Sequence, residues 1–388
     1  MSREILKLIA ENTFGESYQA HKLELDLEKD SSSRIDNREV SEITHLEYAE
    51  TKHNKNYVPL KDLADKISSN GGQILTYFLD GSRHVYKIDE MAYRHSNARK
   101  MVYPVVAGQI TVGCCRRVDK QMQAENFNGE IVLTLPSIAD PDNSKGFFPA
   151  LVSKINNKLE ERQLNLKVSK ILPYGISRKN EEKFEEIAIA KIQDRMYEAE
   201  QEMVAELVNK NKLGQKNYLV KDGSLEYRIT SDIKSDKRRF SRFKNNYDFV
   251  IGLSKKFNLA MWLDSKGKPN PGFIADLPVY NRTPAIRFKN YELFGNIEFA
   301  VWYLRLREKY TDSAFDGVIK VEKMLVNVEE QEDGMDSELV DLLGAYIINE
   351  RNPVCYGSDN RWANHIYPMF LTESFIKSKC ISIETVAA

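Results

Sequence analysis

Two copies of one tripeptide, Asp80-Gly81-Ser82 and Asp222-Gly223-Ser224, each follow an apolar run, and a third carboxylate of interest, Glu200, lies between them. Three carboxylates gathered by a fold repel one another unless a divalent cation neutralises them. Oxygen-only donors select hard ions, Mg²⁺ or Mn²⁺. A two-ion site of that kind activates water and stabilises a leaving oxygen, which is the chemistry of phosphodiester hydrolysis. The expected substrate is therefore a nucleic-acid backbone. Each piece also has a plainer reading. An Asp-Gly pair is an ordinary turn, Glu200 can be a flank residue of an amphipathic helix, and spacing alone does not prove convergence.

The elements that must carry these acids are visible in the pattern. QILTYFLDGSRHVYKIDE predicts a strand ending at Asp80, a Gly-Ser turn and a second strand over about 84–88, that is, a hairpin. Further strands are expected at about 101–115 and 130–136. From about 180 to 210 the chain lacks Pro and Gly and has helical spacing. Ile189, Ile192, Met196, Ala199, Met203 and Leu207 form one stripe there, with Glu200 inside it and Glu198, Glu202 and Glu206 outside. A strand ending at Asp222 follows, then more strand-like runs, a helix in DSELVDLLGAYIINERN and a terminal helix after Tyr367-Pro368. That order is mixed α/β. Residues 1–70 read as a polar N-terminal extension, helical and partly flexible.

With 388 residues and 42% apolar side chains the chain can bury a large core. No apolar run is long enough to cross a membrane and the N-terminus has no signal-peptide pattern, so a cytoplasmic location is expected. The four cysteines lack zinc-site spacing, and the vicinal pair Cys114-Cys115 reads as two small residues facing opposite sides of a strand. No Walker A pattern occurs, so ATP-derived energy must come from elsewhere. A net charge of −1 gives no overall basic field, so DNA binding has to be local. The local candidate is DIKSDKRRFSRFKNN. Lys234, Lys237, Arg238, Arg239, Arg242 and Lys244 suit phosphates there, and Phe240 and Phe243 suit bases. A solvated basic loop is the competing reading. Arg83 and Lys255 are further candidates for contact with the cleaved phosphate.

The strand ending in Asp80-Gly81-Ser82, the helical Glu200 and the strand ending in Asp222-Gly223-Ser224-Leu225 resemble the NurA nuclease family. Val250-Ile251-Gly252-Leu253-Ser254-Lys255 is similar to the family's following Gly- and Lys-bearing segment, and Tyr367-Pro368 to its closing motif. The resemblance covers about 73–380, in patches. It implies a ribonuclease H-like mixed sheet of PIWI/NurA type flanked by helices, spanning 71–388, with an inserted segment at about 138–185. It further implies Mn²⁺- or Mg²⁺-dependent endonuclease and exonuclease activity on DNA, a homodimer, and a HerA-type hexameric ATPase partner serving in DNA repair or antiviral defence. The metal ligands implied are Asp80, Glu200 and Asp222 with a last ligand from Glu373, His365 or Asp359, and Glu373 is ranked first. Phe375 stands where an acid or His is expected.

Overall fold

In a computed structural model, the described residues are 3–18, 22–25, 47–53, 56–95, 99–176, 183–225, 236–258, 262–264, 266–290, 297–308, 313–355 and 363–382. Asp359 and Lys234 lie outside them. In chain order the elements are α1 (Arg3–Thr13), β1 (Glu16–Ser17), β2 (Leu23–Glu24), β3 (Glu47–Tyr48), β4 (Val58–Pro59), α2 (Lys61–Asn70), β5 (Leu75–Arg94), β6 (Lys100–Val118), β7 (Gln121–Pro136), α3 (Phe147–Glu161), β8 (Lys170–Tyr174), α4 (Phe184–Asn209) and β9 (Tyr218–Asp222). After these come α5 (Lys237–Asn245), β10 (Val250–Ser254), α6 (Pro271–Ala275), β11 (Asn281–Arg282), β12 (Ile286–Asn290), β13 (Ile297–Arg305), β14 (Val318–Met324), α7 (Val328–Asp333), α8 (Ser337–Asn349) and α9 (Tyr367–Lys377). Among the described residues no helix is long and apolar enough to cross a membrane.

The strands form one mixed sheet in the order β3-β12-β13-β14-β10-β9-β5-β6-β7-β8. β5, β6 and β7 are an antiparallel meander. After α4 the chain returns as β9, parallel to β5, and β10 lies parallel to β9. The two faces of the sheet carry separate cores, because strand side chains alternate. Tyr77 and Leu79 pack with Leu151 and Ile155 of α3 and with Ile192, Met196 and Met203 of α4. Phe78 and Val220 pack instead with Ala64 and Ile67 of α2, Leu343 and Ile347 of α8, and Met369 of α9.

Three sequence expectations change in detail. The first Asp-Gly-Ser is not a turn: β5 runs unbroken for 20 residues, since β6 pairs with it residue by residue through Gly81↔Val112 and Ser82↔Thr111. Asp80 therefore sits within a strand rather than at its end. Residues 138–185 contribute α3 and then β8, which extends the sheet parallel to β7. The described parts of the first seventy residues dock onto the same sheet. Ile5, Leu6 and Ile9 of α1 enter the core on the α4 face, β1 and β2 pair with the distal half of β5, and α2 joins the opposite face. The long helix α4 buries Ile192, Met196, Ala199, Glu200, Met203 and Leu207 and exposes Glu198, Glu202 and Glu206, while Ile189 is only half-buried.

Candidate metal centre

Register brings the two aspartates together. In the parallel pair β5/β9, Leu79 stands opposite Lys221, so the next residues, Asp80 and Asp222, are level on adjacent strands. Alternation turns both toward the face covered by α8 and α9. Helix α9 lies on that face and supplies Glu373, and ligand oxygens from Asp80, Asp222 and Glu373 all fall within 4.8 Å of one another.

A cationic residue and a histidine border the three acids. Lys255, the residue after β10, places Nζ 2.8 Å from Asp222 Oδ2, 3.0 Å from His365 Nε2 and 3.9 Å from Glu373 Oε2. His365 is buried, with Nε2 3.7 Å from Glu373 Oε2. Its segment is fixed from below: Arg307 Nη1 donates to the His365 carbonyl at 3.0 Å, and Asn364 Nδ2 donates to the Lys255 carbonyl at 3.2 Å.

The two aspartates differ electrostatically. Burial, then the neighbouring Asp222 charge, pushes the Asp80 carboxyl well above the usual carboxylate range, with Glu373 and Glu200 adding to it and Lys255 opposing. Burial acts on Asp222 in the same sense, but the Lys255 charge and hydrogen bond, helped by His365 and Lys221, outweigh it and hold Asp222 below its ordinary value. Asp80 is thus a buried acid whose negative charge is poorly compensated by protein. Three oxygen donors of this kind fit a hard divalent cation.

Glu200 is not in this triad. It faces the sheet from the α4 side, where its Oε2 lies 3.2 Å from Lys221 Nζ in a pair that is almost wholly buried. Lys221 Nζ also donates to the Asp222 carbonyl at 2.7 Å. Burial opposes the Lys221 charge, but Glu200 and then Tyr197 outweigh it and raise the ammonium's pKa. Glycine at position 81 is what admits Glu200, since a Cβ there would stand 2.6 Å from Glu200 Oε1. The pair thus holds the backbone of Asp222 from behind the sheet. Removing one partner of a buried ion pair costs about 3–5 kcal/mol. Lys221→Met is accordingly expected to lower the urea midpoint sharply, and the double variant with Glu200→Gln should recover part of the loss. Equal stability of wild type and Lys221→Met would refute the clamp.

The other expected contacts divide. Arg83 lies on the α4 side, where its Nε donates to Gln193 Oε1, so it is turned away from the acids. Helix α5 is capped by Asp236 Oδ1, which accepts from the Arg238 and Arg239 amides at 2.9 and 3.2 Å. Its Lys237, Arg238, Arg239 and Arg242 are exposed. Its rings are turned to the core: Phe243 is buried against Tyr247, with centroids 5.2 Å apart, and Phe240 is half-buried on the same core, on the α4 side. The three-residue spacing is that of an amphipathic anchor. Cys114 is buried in the α4-face core, and Cys115 is buried on the other face, beside Thr372 of α9.

Two residues escaped the sequence reading. Glu322 of β14 accepts through Oε2 from Ser224 Oγ at 2.7 Å and the Leu225 amide at 2.8 Å, and pairs at 2.7 Å with Lys320. It thereby fixes the turn that follows Asp222. The available signal was charge at successive alternate positions inside an apolar strand, VIKVEKM.

No protein-family profile matches the chain, and no curated protein sequence matches it. Among solved structures it is similar to the crystal structure of the NurA nuclease from Sulfolobus solfataricus, with a TM-score of 0.40 and 11% identity over 82% of this chain and 88% of that one. A likeness at that level carries no argument about the site or its activity.

Proposed function

We propose that the chain is a divalent-metal-dependent nuclease that hydrolyses DNA phosphodiester bonds. The observation that carries this is the convergence of Asp80, Asp222 and Glu373 from two adjacent strands and a C-terminal helix, with ligand oxygens within 4.8 Å. The strand order β7-β6-β5-β9-β10, an antiparallel meander, a long helix and two strands parallel to the first, supports a ribonuclease H-like core. The motif resemblance to NurA nucleases supports DNA as substrate, Mn²⁺ or Mg²⁺ as cofactor, a homodimer, and a HerA-type ATPase as partner.

Asp80, Asp222 and Glu373 would hold the cation, which when bound supplies Lewis-acid polarisation of the phosphate and a more acidic water. Lys255 and His365 then border the reacting phosphate. The ammonium, already held by Asp222, presents fixed positive charge where the phosphoryl oxygens gain negative charge, which lowers the barrier without reorganisation. The buried Lys221–Glu200 pair keeps Asp222 in place, and the exposed Lys237, Arg238, Arg239 and Arg242 of α5 are assigned to phosphates farther along the DNA.

The test is digestion of labelled single- and double-stranded DNA, and of matched RNA, by purified protein with Mn²⁺, Mg²⁺ or EDTA. Metal-dependent, EDTA-blocked DNA cleavage is expected, and absence of cleavage with either ion overturns the reading. Neutralising Arg238 and Arg239 should weaken DNA binding and flatten its salt dependence, and an unchanged salt slope removes α5 from the DNA path. Co-elution with a HerA-type hexamer and the solution mass test the two assembly proposals. A second reading, a non-catalytic DNA-binding adaptor of a translocase, is favoured by one observation: Lys255 already compensates Asp222 and reaches toward Glu373. DNA binding without cleavage under any ion would decide for it.

A further inference from the structure

We propose that Phe127 and Phe375 form a stacking platform for an unpaired base of a single-stranded nucleic acid, on the same face of the sheet as the three acids. Register places it. Asp80 of β5 stands opposite Gly113 of β6, and Gly113 stands opposite Phe127 of β7. The three positions therefore form one row across the sheet, about 10 Å from end to end at the usual strand spacing. Gly113 lets α9 descend onto this row, because a Cβ there would collide with Ile376 and lie 3.3 Å from Phe375 Cε1.

Helix α9 thus delivers Glu373 to the acids and Phe375, half a turn on, to Phe127. The two rings meet edge to face, with centroids 5.9 Å apart and planes at 76°. Phe127 keeps 42% of its surface exposed. Lys379 holds Nζ 5.6 Å from the Phe375 centroid, which adds a cation to the rings and a partner for a phosphate. A single exposed ring is ordinary on a protein surface. An exposed ring backed by a second ring and a lysine, in line with a cluster of acids, matches the aromatic-plus-cation composition that binds single strands without sequence preference. The rings of α5 are less suited to this role, because Phe243 is buried and Phe240 half-buried against the core.

The ligand class rests on the nuclease reading above, so the test is made without cleavage. Binding of fluorescein-labelled oligothymidylate is compared, in EDTA, with binding of an equally long abasic deoxyribose-phosphate strand. Wild type should prefer the strand with bases. Phe127→Ala should weaken oligothymidylate binding roughly 5- to 100-fold and leave abasic binding unchanged, while Phe127→Trp should retain the preference. An unaltered melting temperature of Phe127→Ala checks that the exposed position leaves the fold intact. No preference in the wild type, no effect of Phe127→Ala, or an equal loss for both strands each overturns the platform. Metal-dependent cleavage is scored separately, so failure of the nuclease reading is not confused with failure of the platform.

Discussion

Asp80→Asn is expected to abolish metal-dependent cleavage and, in metal-free protein near neutral pH, to raise stability. The first effect follows from removing a ligand from a three-carboxylate set. Loss of several kcal/mol of transition-state stabilisation corresponds to a fall on the order of 10³-fold in rate. The second follows from linkage. The folded-state pKa of Asp80 is raised, by burial first and by Asp222 next, so at intermediate pH the folded state binds a proton that the unfolded state does not. Stability then falls as pH rises from the unfolded aspartate pKa through the folded one. The asparagine side chain carries no such penalty. Its advantage should be absent in acid, grow as pH rises across that window, and level off above it. Urea titrations of both proteins in EDTA across pH measure this. A variant less stable than wild type at neutral pH would show that Asp80 is compensated by protein alone. Added Mn²⁺ should reverse the order, since a ligand that binds only the folded state stabilises by mass action: the wild-type melting temperature rises and that of Asp80→Asn barely moves. A site that stores unfavourable charge until a cation arrives trades stability for function.

What the sequence discloses and what it hides divide along physical lines. Helix α4 was legible because its period repeats over many turns, and the inward position of Glu200 followed from that period. Its partner did not follow. Whether an inward carboxylate meets an ion or an ammonium depends on which face of the sheet the helix covers, and that is fixed by β9 returning beside β5. Gly81 misled for a related reason. In isolation Asp-Gly-Ser is turn chemistry, whereas here the glycine leaves room for Glu200, a side chain from a distant part of the chain. Phe240 and Phe243 share a stretch with basic residues and suggest one surface with them, although their spacing also fits an apolar stripe, and burial of Phe243 selects the latter. Glu373 was accessible only as an acid on a terminal helix. Its approach to Asp80 depends on α9 lying flat across Gly113, a long-range packing event that leaves no local trace.

Lys255→Met should produce the mirror image of the Asp80 result: a protein that is strongly destabilised without metal and rescued by it. In the wild type the Lys255 ammonium lies 2.8 Å from Asp222 Oδ2 and is the main influence holding the Asp222 carboxyl below its ordinary value against burial. A group with a depressed folded-state pKa contributes stability that is present above the unfolded pKa and is lost as pH falls through the folded one. Methionine keeps the length of the stem but removes the charge. Burial then acts on Asp222 unopposed by its nearest cation, and three carboxylates share one site with His365 beside them. Breaking a buried ion pair from one side costs about 3–5 kcal/mol, and here the orphaned carboxylate also faces Asp80. The sign of the pH dependence should therefore invert. Metal-free Lys255→Met should gain stability as pH falls and Asp222 takes up a proton, where the wild-type Asp222 contribution declines. Mn²⁺ should restore more stability to the variant than to wild type, because the ion replaces the missing positive charge, yet cleavage should stay depressed if Lys255 also faces the developing charge on the phosphate. Calorimetric melting of both proteins with EDTA and with Mn²⁺, set beside cleavage rates, separates the two roles. Full recovery of cleavage together with stability would leave Lys255 a purely structural counter-ion, and no destabilisation in EDTA would show that it does not balance the acids.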